Sequence, residues 1–148
     1  MKLRWAALSV VLALSALMAE AAPAHGQPTR RRPKVTLEQN YPNPFNPETW
    51  IPFGIDVDCP EPGRQYRVTM RIFNLLAQEV AVPVIQGGSG TAAGGDPIEN
   101  ITLGCGSYRA YWNGKYKNSN KDAASGVYVY RLEVDGQPLA MKKFLVTK

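Results

Sequence analysis

Few residues in this chain are of a type that could carry out chemistry, and they are scattered. His25 is the only histidine among 148 residues. It lies at the end of an N-terminal apolar stretch that reads as removable, so neither a Ser–His nor a Cys–His nucleophile pair can be assembled in what remains. Cys59 and Cys105 are far apart with no histidine beside them, which makes a poor metal site. Carboxylates at Asp56, Asp58, Glu61, Asp96, Glu99 and Asp122 form no motif, and no glycine-rich loop opens a helix to cradle a phosphate. Asn118-Ser119-Asn120-Lys121-Asp122 has the oxygen ligands that Ca²⁺ takes, but Lys115, Lys117 and Lys121 oppose a dication, and a solvated turn is the simpler reading. The expectation is no catalytic residue, no metal and no cofactor: a protein that binds and is not an enzyme. The aromatic residues Trp50, Phe73, Tyr111, Trp112 and Tyr116 could form a platform for a sugar or a protein partner. Tyr108, Ala110 and Trp112 share one face, which places Trp112 in the core; Phe73 and Tyr111 fall on outward phases and are the candidate surface contacts.

These residues are placed by what precedes them. Lys2 and Arg4 start the chain, Ala6 to Met18 is apolar apart from Ser9 and Ser15, and Glu20 ends the run too early for a membrane-spanning helix of about 20 residues. Residues 1–26 read as a signal peptide cleaved before Gln27, with an uncleaved anchor as the alternative and no cysteine nearby for a lipid. No membrane span is expected after cleavage. Export implies an oxidising compartment, where Cys59 and Cys105 would pair; the chain-entropy model gives such a bond roughly 4 kcal/mol. Two free thiols are the alternative. The chain carries +5, and without Lys2, Arg4 and Glu20 the remaining +4 is that of Arg30, Arg31, Arg32 and Lys34, inside a basic, proline-containing linker over 27–36; from Val35 onward the charges cancel. A nucleic-acid partner is therefore not expected, since its electrostatic footprint belongs on the folded surface.

From there the apolar period is two. Ile51, Phe53, Ile55 and Val57 alternate with Pro52, Gly54 and Asp56; Tyr66, Val68, Met70 and Ile72 alternate with Arg67, Thr69 and Arg71; Val80, Val82 and Val84 alternate with Ala81 and Pro83. Pro83 cannot donate to a ladder and marks its strand as an edge. Gly87 to Asp96 reads as a loop, Ile98 to Leu103 as a short strand, and Ser107 to Trp112 as a strand ended by Asn113-Gly114. Tyr128, Tyr130, Leu132 and Val134 alternate up to Asp135-Gly136, a hairpin signature, and the last strand should turn Phe144 and Val146 inward. No segment has helical periodicity. The expected fold over 37–148 is all-β: an immunoglobulin-like (fibronectin III-like) antiparallel sandwich of about seven strands.

One stretch is more specific. Tyr41-Pro42-Asn43-Pro44-Phe45-Asn46-Pro47 resembles the opening of the type A C-terminal sorting domains of the type IX (Por) secretion system, which are similar to the Ig-like domain of the flagellar hook-capping protein. Tyr108 to Lys115, with Trp112 and Gly114, and Ser125-Gly126-Val127-Tyr128-Val129-Tyr130-Arg131-Leu132 resemble later blocks of that family in the same order. The resemblance implies a secreted or cell-surface module recognised by outer-membrane secretion machinery or another extracellular protein. The alternatives on the same fold are a module that binds a glycan or protein, or one that self-assembles. The segment also has a plain physical reading: its prolines fix φ and its asparagines bond locally, a rigid entry to the first strand with Tyr41 and Phe45 as apolar pegs. Ala77 stands where the family has glycine, the loop before Gly106 is longer, and the family's domains follow a large cargo where only signal and linker precede this one.

Overall fold

Alternating burial sets the strands. Ile51, Phe53 and Ile55 are fully or almost fully buried, and so are Tyr66, Val68, Met70 and Ile72; between them Pro52, Arg67 and Arg71 are more exposed, while Gly54 and Thr69 are buried as well. The computed structural model describes residues 31–87 and 94–148. Its strands are β1 (Val35–Leu37), β2 (Thr49–Ile55), β3 (Tyr66–Asn74), β4 (Glu79–Ala81), β5 (Val84–Gln86), β6 (Ile101–Leu103), β7 (Gly106–Trp112), β8 (Gly126–Val134) and β9 (Gln137–Val146). They form two sheets, ordered β1-β2-β7-β5 and β4-β3-β8-β9, with β6 also paired to β3. Every strand pair is antiparallel. The fold is all-β, with no helix among the described residues. No helix there is long and apolar enough to cross a membrane.

The apolar faces of both sheets contribute to one buried cluster. At one end Phe45, Trp112 and Phe144 meet at centroid distances of 5.1, 5.6 and 5.8 Å, tying the segment before β2 to β7 and β9. Phe144 and Val146 point inward as their phase requires. Away from this end, Cys59 and Cys105 form a disulfide with a Cα–Cα distance of 5.3 Å, joining the β2–β3 loop to the residue before β7.

Several boundaries differ from the expectation. Val57 is not in a strand: β2 ends at Ile55, and Val57 is half exposed. Asp56 turns the chain at φ 38°, and its buried carboxylate accepts hydrogen bonds from the Tyr66 hydroxyl (2.6 Å) and the Lys34 amide (2.8 Å). Val80, Val82 and Val84 do not share one edge strand: Val80 lies in β4 and Val84 in β5, edge strands of different sheets, and Val82 lies in neither. At Pro83 the chain crosses between sheets, so the phase shifts and Ile85 is the buried residue of β5. Val35 and Thr36, read as linker, pair with Ile55 and Gly54 as strand β1. Ile98 lies before β6, yet it is fully buried and its carbonyl accepts from Met70 N. Among the described residues nine strands stand where about seven are expected, because these short segments pair on their own. The predicted signal peptide, residues 1–26, and residues 27–30 of the linker lie outside the described residues, as does part of the loop after Gly87.

Candidate functional site

Most of the motif residues are occupied in building the fold. Tyr41-Pro42, Asn43-Pro44 and Asn46-Pro47 are cis peptides. The segment runs along the free edge of β9: Phe45 N donates to Leu145 O (3.1 Å), Thr147 N donates to Phe45 O (3.1 Å), and Asn43 Oδ1 accepts from Leu145 N (3.0 Å). Asn40 secures its start, donating through Nδ2 to Pro42 O and Thr49 Oγ1. Tyr130, fully buried on β8, reaches it from the other sheet: its hydroxyl donates to Glu38 O (2.6 Å) and accepts from Asn40 N (3.1 Å). Burial pushes the Tyr130 phenol up to about 12. Trp112 donates through Nε1 to Lys115 O, Ser125 Oγ accepts from Lys148 N, and Tyr128 OH donates to Ala124 O. Gly126 and Val127 begin β8, opposite Val146 and Leu145.

One outward aromatic surface lies on the four-stranded sheet. Because Ile51 and Ala110 face the core, Trp50 and Tyr111, their neighbours in sequence and partners in register, face out. Tyr41 bridges to Trp50 on one side and Val84 pairs with Tyr111 on the other. The result is a row across the strands: Tyr41 to Trp50 at 6.0 Å between centroids, nearly parallel at 22°, and Trp50 to Tyr111 at 5.7 Å. Tyr41 is 46% exposed. The phenols are tied at their rims, Tyr111 donating to Glu48 and Tyr41 accepting from Arg109 (3.1 Å). The hydrogen bond to Glu48, and then burial, raise the Tyr111 pKa. Beyond Tyr111 the row meets a cleft of about 640 Å³ bordered by Val84, Pro97, Tyr116 and Asn118.

Tyr111 therefore belongs to an aromatic surface, whereas Phe73, the other predicted surface contact, lies on the second sheet under the Arg131 guanidinium at 4.6 Å. Sequence reasoning missed Glu48 and Arg109 as rim residues and treated Tyr41 only as a motif peg. Arg109 shares the outward phase of Tyr111, a signal that was available; the pairing of Tyr41 with Trp50 comes from the backbone bridge between them and had none. Among the described residues no group of three or more His, Cys, Asp or Glu is placed to hold a metal ion.

No family model matches the chain, and no curated protein matches it. Among solved structures it is similar to Pseudomonas fluorescens alkylpurine DNA glycosylase AlkC bound to DNA containing an abasic site analog, at 16% identity and a TM-score of 0.47. The similarity covers 77% of this chain and 30% of that one, so the chain spans less than a third of the glycosylase's length. This finding runs against two expectations from the sequence, a secreted module that acts through export machinery and the exclusion of a nucleic-acid partner. The matched protein is a DNA-bound glycosylase, and both expectations are corrected and not carried forward. At this level of similarity the likeness assigns neither activity nor ligand to this chain.

Proposed function

We propose that this chain is a binding domain without catalytic chemistry, and that Tyr41, Trp50 and Tyr111 hold ring-bearing ligands by stacking. The observation that carries the reading is the aromatic row itself. The outward face of a sheet covered on one side ordinarily carries polar residues, yet here Tyr41, Trp50 and Tyr111 stand side by side and the two tyrosine hydroxyls are fixed by Arg109 and Glu48. A ring with an apolar face and polar edges matches such a surface: a nucleobase through its π-face, or a pyranose through a face of C–H groups. The resemblance of Tyr41–Pro47 and Ser125–Leu132 to the sorting-domain and hook-capping family supports an immunoglobulin-like sandwich as the fold, and the Cys59–Cys105 bond supports an oxidising compartment as its location.

Calorimetric titration with neutral oligosaccharides and with single-stranded oligonucleotides tests the reading. Stacking on one aromatic residue is worth about 1–3 kcal/mol, so Trp50→Ala should weaken binding roughly five- to a hundredfold while leaving Tm nearly unchanged. Binding of neither ligand class, or Trp50→Ala binding as tightly as the parent, would sink it.

A further inference from the structure

The second sheet carries a separate outward surface. Leu75 and Leu76, at the tip of the β3–β4 turn, are 70% and 78% exposed. The turn is held in place: Asn74 Oδ1 accepts from Leu76 N and Gln78 N, Asn74 N donates to Gln78 O, Ala77 N donates to Asn74 O, and Ala77 takes φ 58°. None of this bonding uses a leucine side chain, so polar residues would serve the turn as well. The two leucines are presented on a rigid support.

They adjoin more apolar surface. Leu75 borders a shallow hollow of about 300 Å³ together with Phe73, Val129, Arg131 and Met141. Met141 is 64% exposed and stands opposite Arg131 in register; Lys143, exposed, stands opposite Val129. Among the described residues no carboxylate lines the hollow. The nearby Glu133 is held by Arg71 and Arg131, and Glu79 by Arg71 and Lys117. Arg131 is thereby committed to Glu133, and exposed Lys143 adds a cation at the border of this apolar surface, which suits something apolar and anionic at once. An acidic partner protein would need a pocket shaped to the protruding leucine pair, whereas a bilayer accepts an apolar protrusion of any shape and supplies the anionic headgroups around it.

We propose that the Leu75–Leu76 turn and Met141 form a peripheral membrane-contact site that inserts into anionic lipid surfaces. The leucines enter the headgroup–acyl boundary, and Lys143 meets the lipid phosphates and carboxylates. The site is independent of the aromatic row on the other sheet.

Hydroxyl-radical footprinting of the full chain tests it, because oxidation is read residue by residue. Whatever the N-terminal apolar stretch does in vesicles does not report at Met141. Met70, fully buried, serves as the internal reference for folding. With vesicles of saturated phosphatidylcholine and phosphatidylserine, oxidation at Met141 and Leu76 should fall roughly threefold or more, in proportion to apolar insertion, with Met70 unchanged. Salt should weaken the protection. In Leu75→Asp/Leu76→Asp, Met141 should stay open to oxidation while Met70 stays protected. Unchanged oxidation on anionic vesicles overturns the proposal. So does equal protection on phosphatidylcholine alone, which leaves Lys143 no part. Protection that grows with protein concentration in the absence of vesicles would assign the surface to a second copy and overturn it as well.

Discussion

Gly114 shows how tightly the segment before β2 is pressed into place. It takes φ +74°, and a Cβ there would overlap the Pro47 carbonyl oxygen and crowd the Phe45 ring. Backbone cannot yield as a flexible side chain can, so Gly114→Ala combines left-handed strain with overpacking. It should cost on the order of 2–4 kcal/mol, read as a lower urea midpoint at unchanged m-value. A second residue-scale outcome concerns two phenols. Burial lifts Tyr130 to about 12; burial and then the hydrogen bond to Asp56 lift Tyr66 to about 12. In the unfolded chain a tyrosine ionises near 10. Above that pH the unfolded state gives up protons that the folded state keeps, so stability is intact below about pH 10 and drains away as pH rises toward about 12. Thermal melts across that range should show a steep alkaline fall in Tm. Tyr130→Phe should melt lower at neutral pH, having lost its bonds to Glu38 and Asn40, but fall less steeply above pH 10.

At the scale of elements, two devices close a fold whose connections are long and partly unpaired. One is the Asn40–Pro47 segment, which covers the last residues of β9 and so removes part of an exposed sheet edge. The other is the disulfide, which closes a loop of 46 residues between the start of the β2–β3 connection and the residue before β7. In the chain-entropy model such a loop is worth roughly 4 kcal/mol, all of it acting on the unfolded state. Reduction, or Cys59→Ser/Cys105→Ser, should therefore lower the urea midpoint sharply and raise the m-value as the denatured chain expands. A parent and variant with the same midpoint would show that the bond adds nothing to a fold already closed by its core.

For the molecule as a whole, the two outward faces differ in chemistry. One bears tied aromatic rings, the other an apolar turn with Lys143 at its border. Ring ligands and anionic vesicles should therefore bind without competing. Trp50→Ala should leave vesicle protection at Met141 intact, and Leu75→Asp/Leu76→Asp should leave ring binding intact. Each pair of measurements keeps one proposal testable when the other fails.

The sequence by itself determined the strands that bury one full face. In Tyr66–Ile72 and Tyr128–Val134 the period of two is uninterrupted, and every inward residue it names is buried. It also carried the pairing of the two cysteines, given an oxidising compartment. Where the pattern ran across a turn it misled: Val57 and the Val80–Val84 run continue the alternation on paper, but Asp56 at positive φ and the chain crossing at Pro83 break it in space. Outward phase alone put Tyr111 and Phe73 in one class. Only the tertiary structure separated them, because strand register set Tyr111 beside Trp50 while the neighbouring strand laid Arg131 over Phe73. Local period is a property of consecutive residues and can be read along the chain. Which residues become neighbours across strands depends on pairings between distant segments, such as Tyr41 with Trp50 or Phe45 with Val146, and those are decided only when the sheets close on their common core.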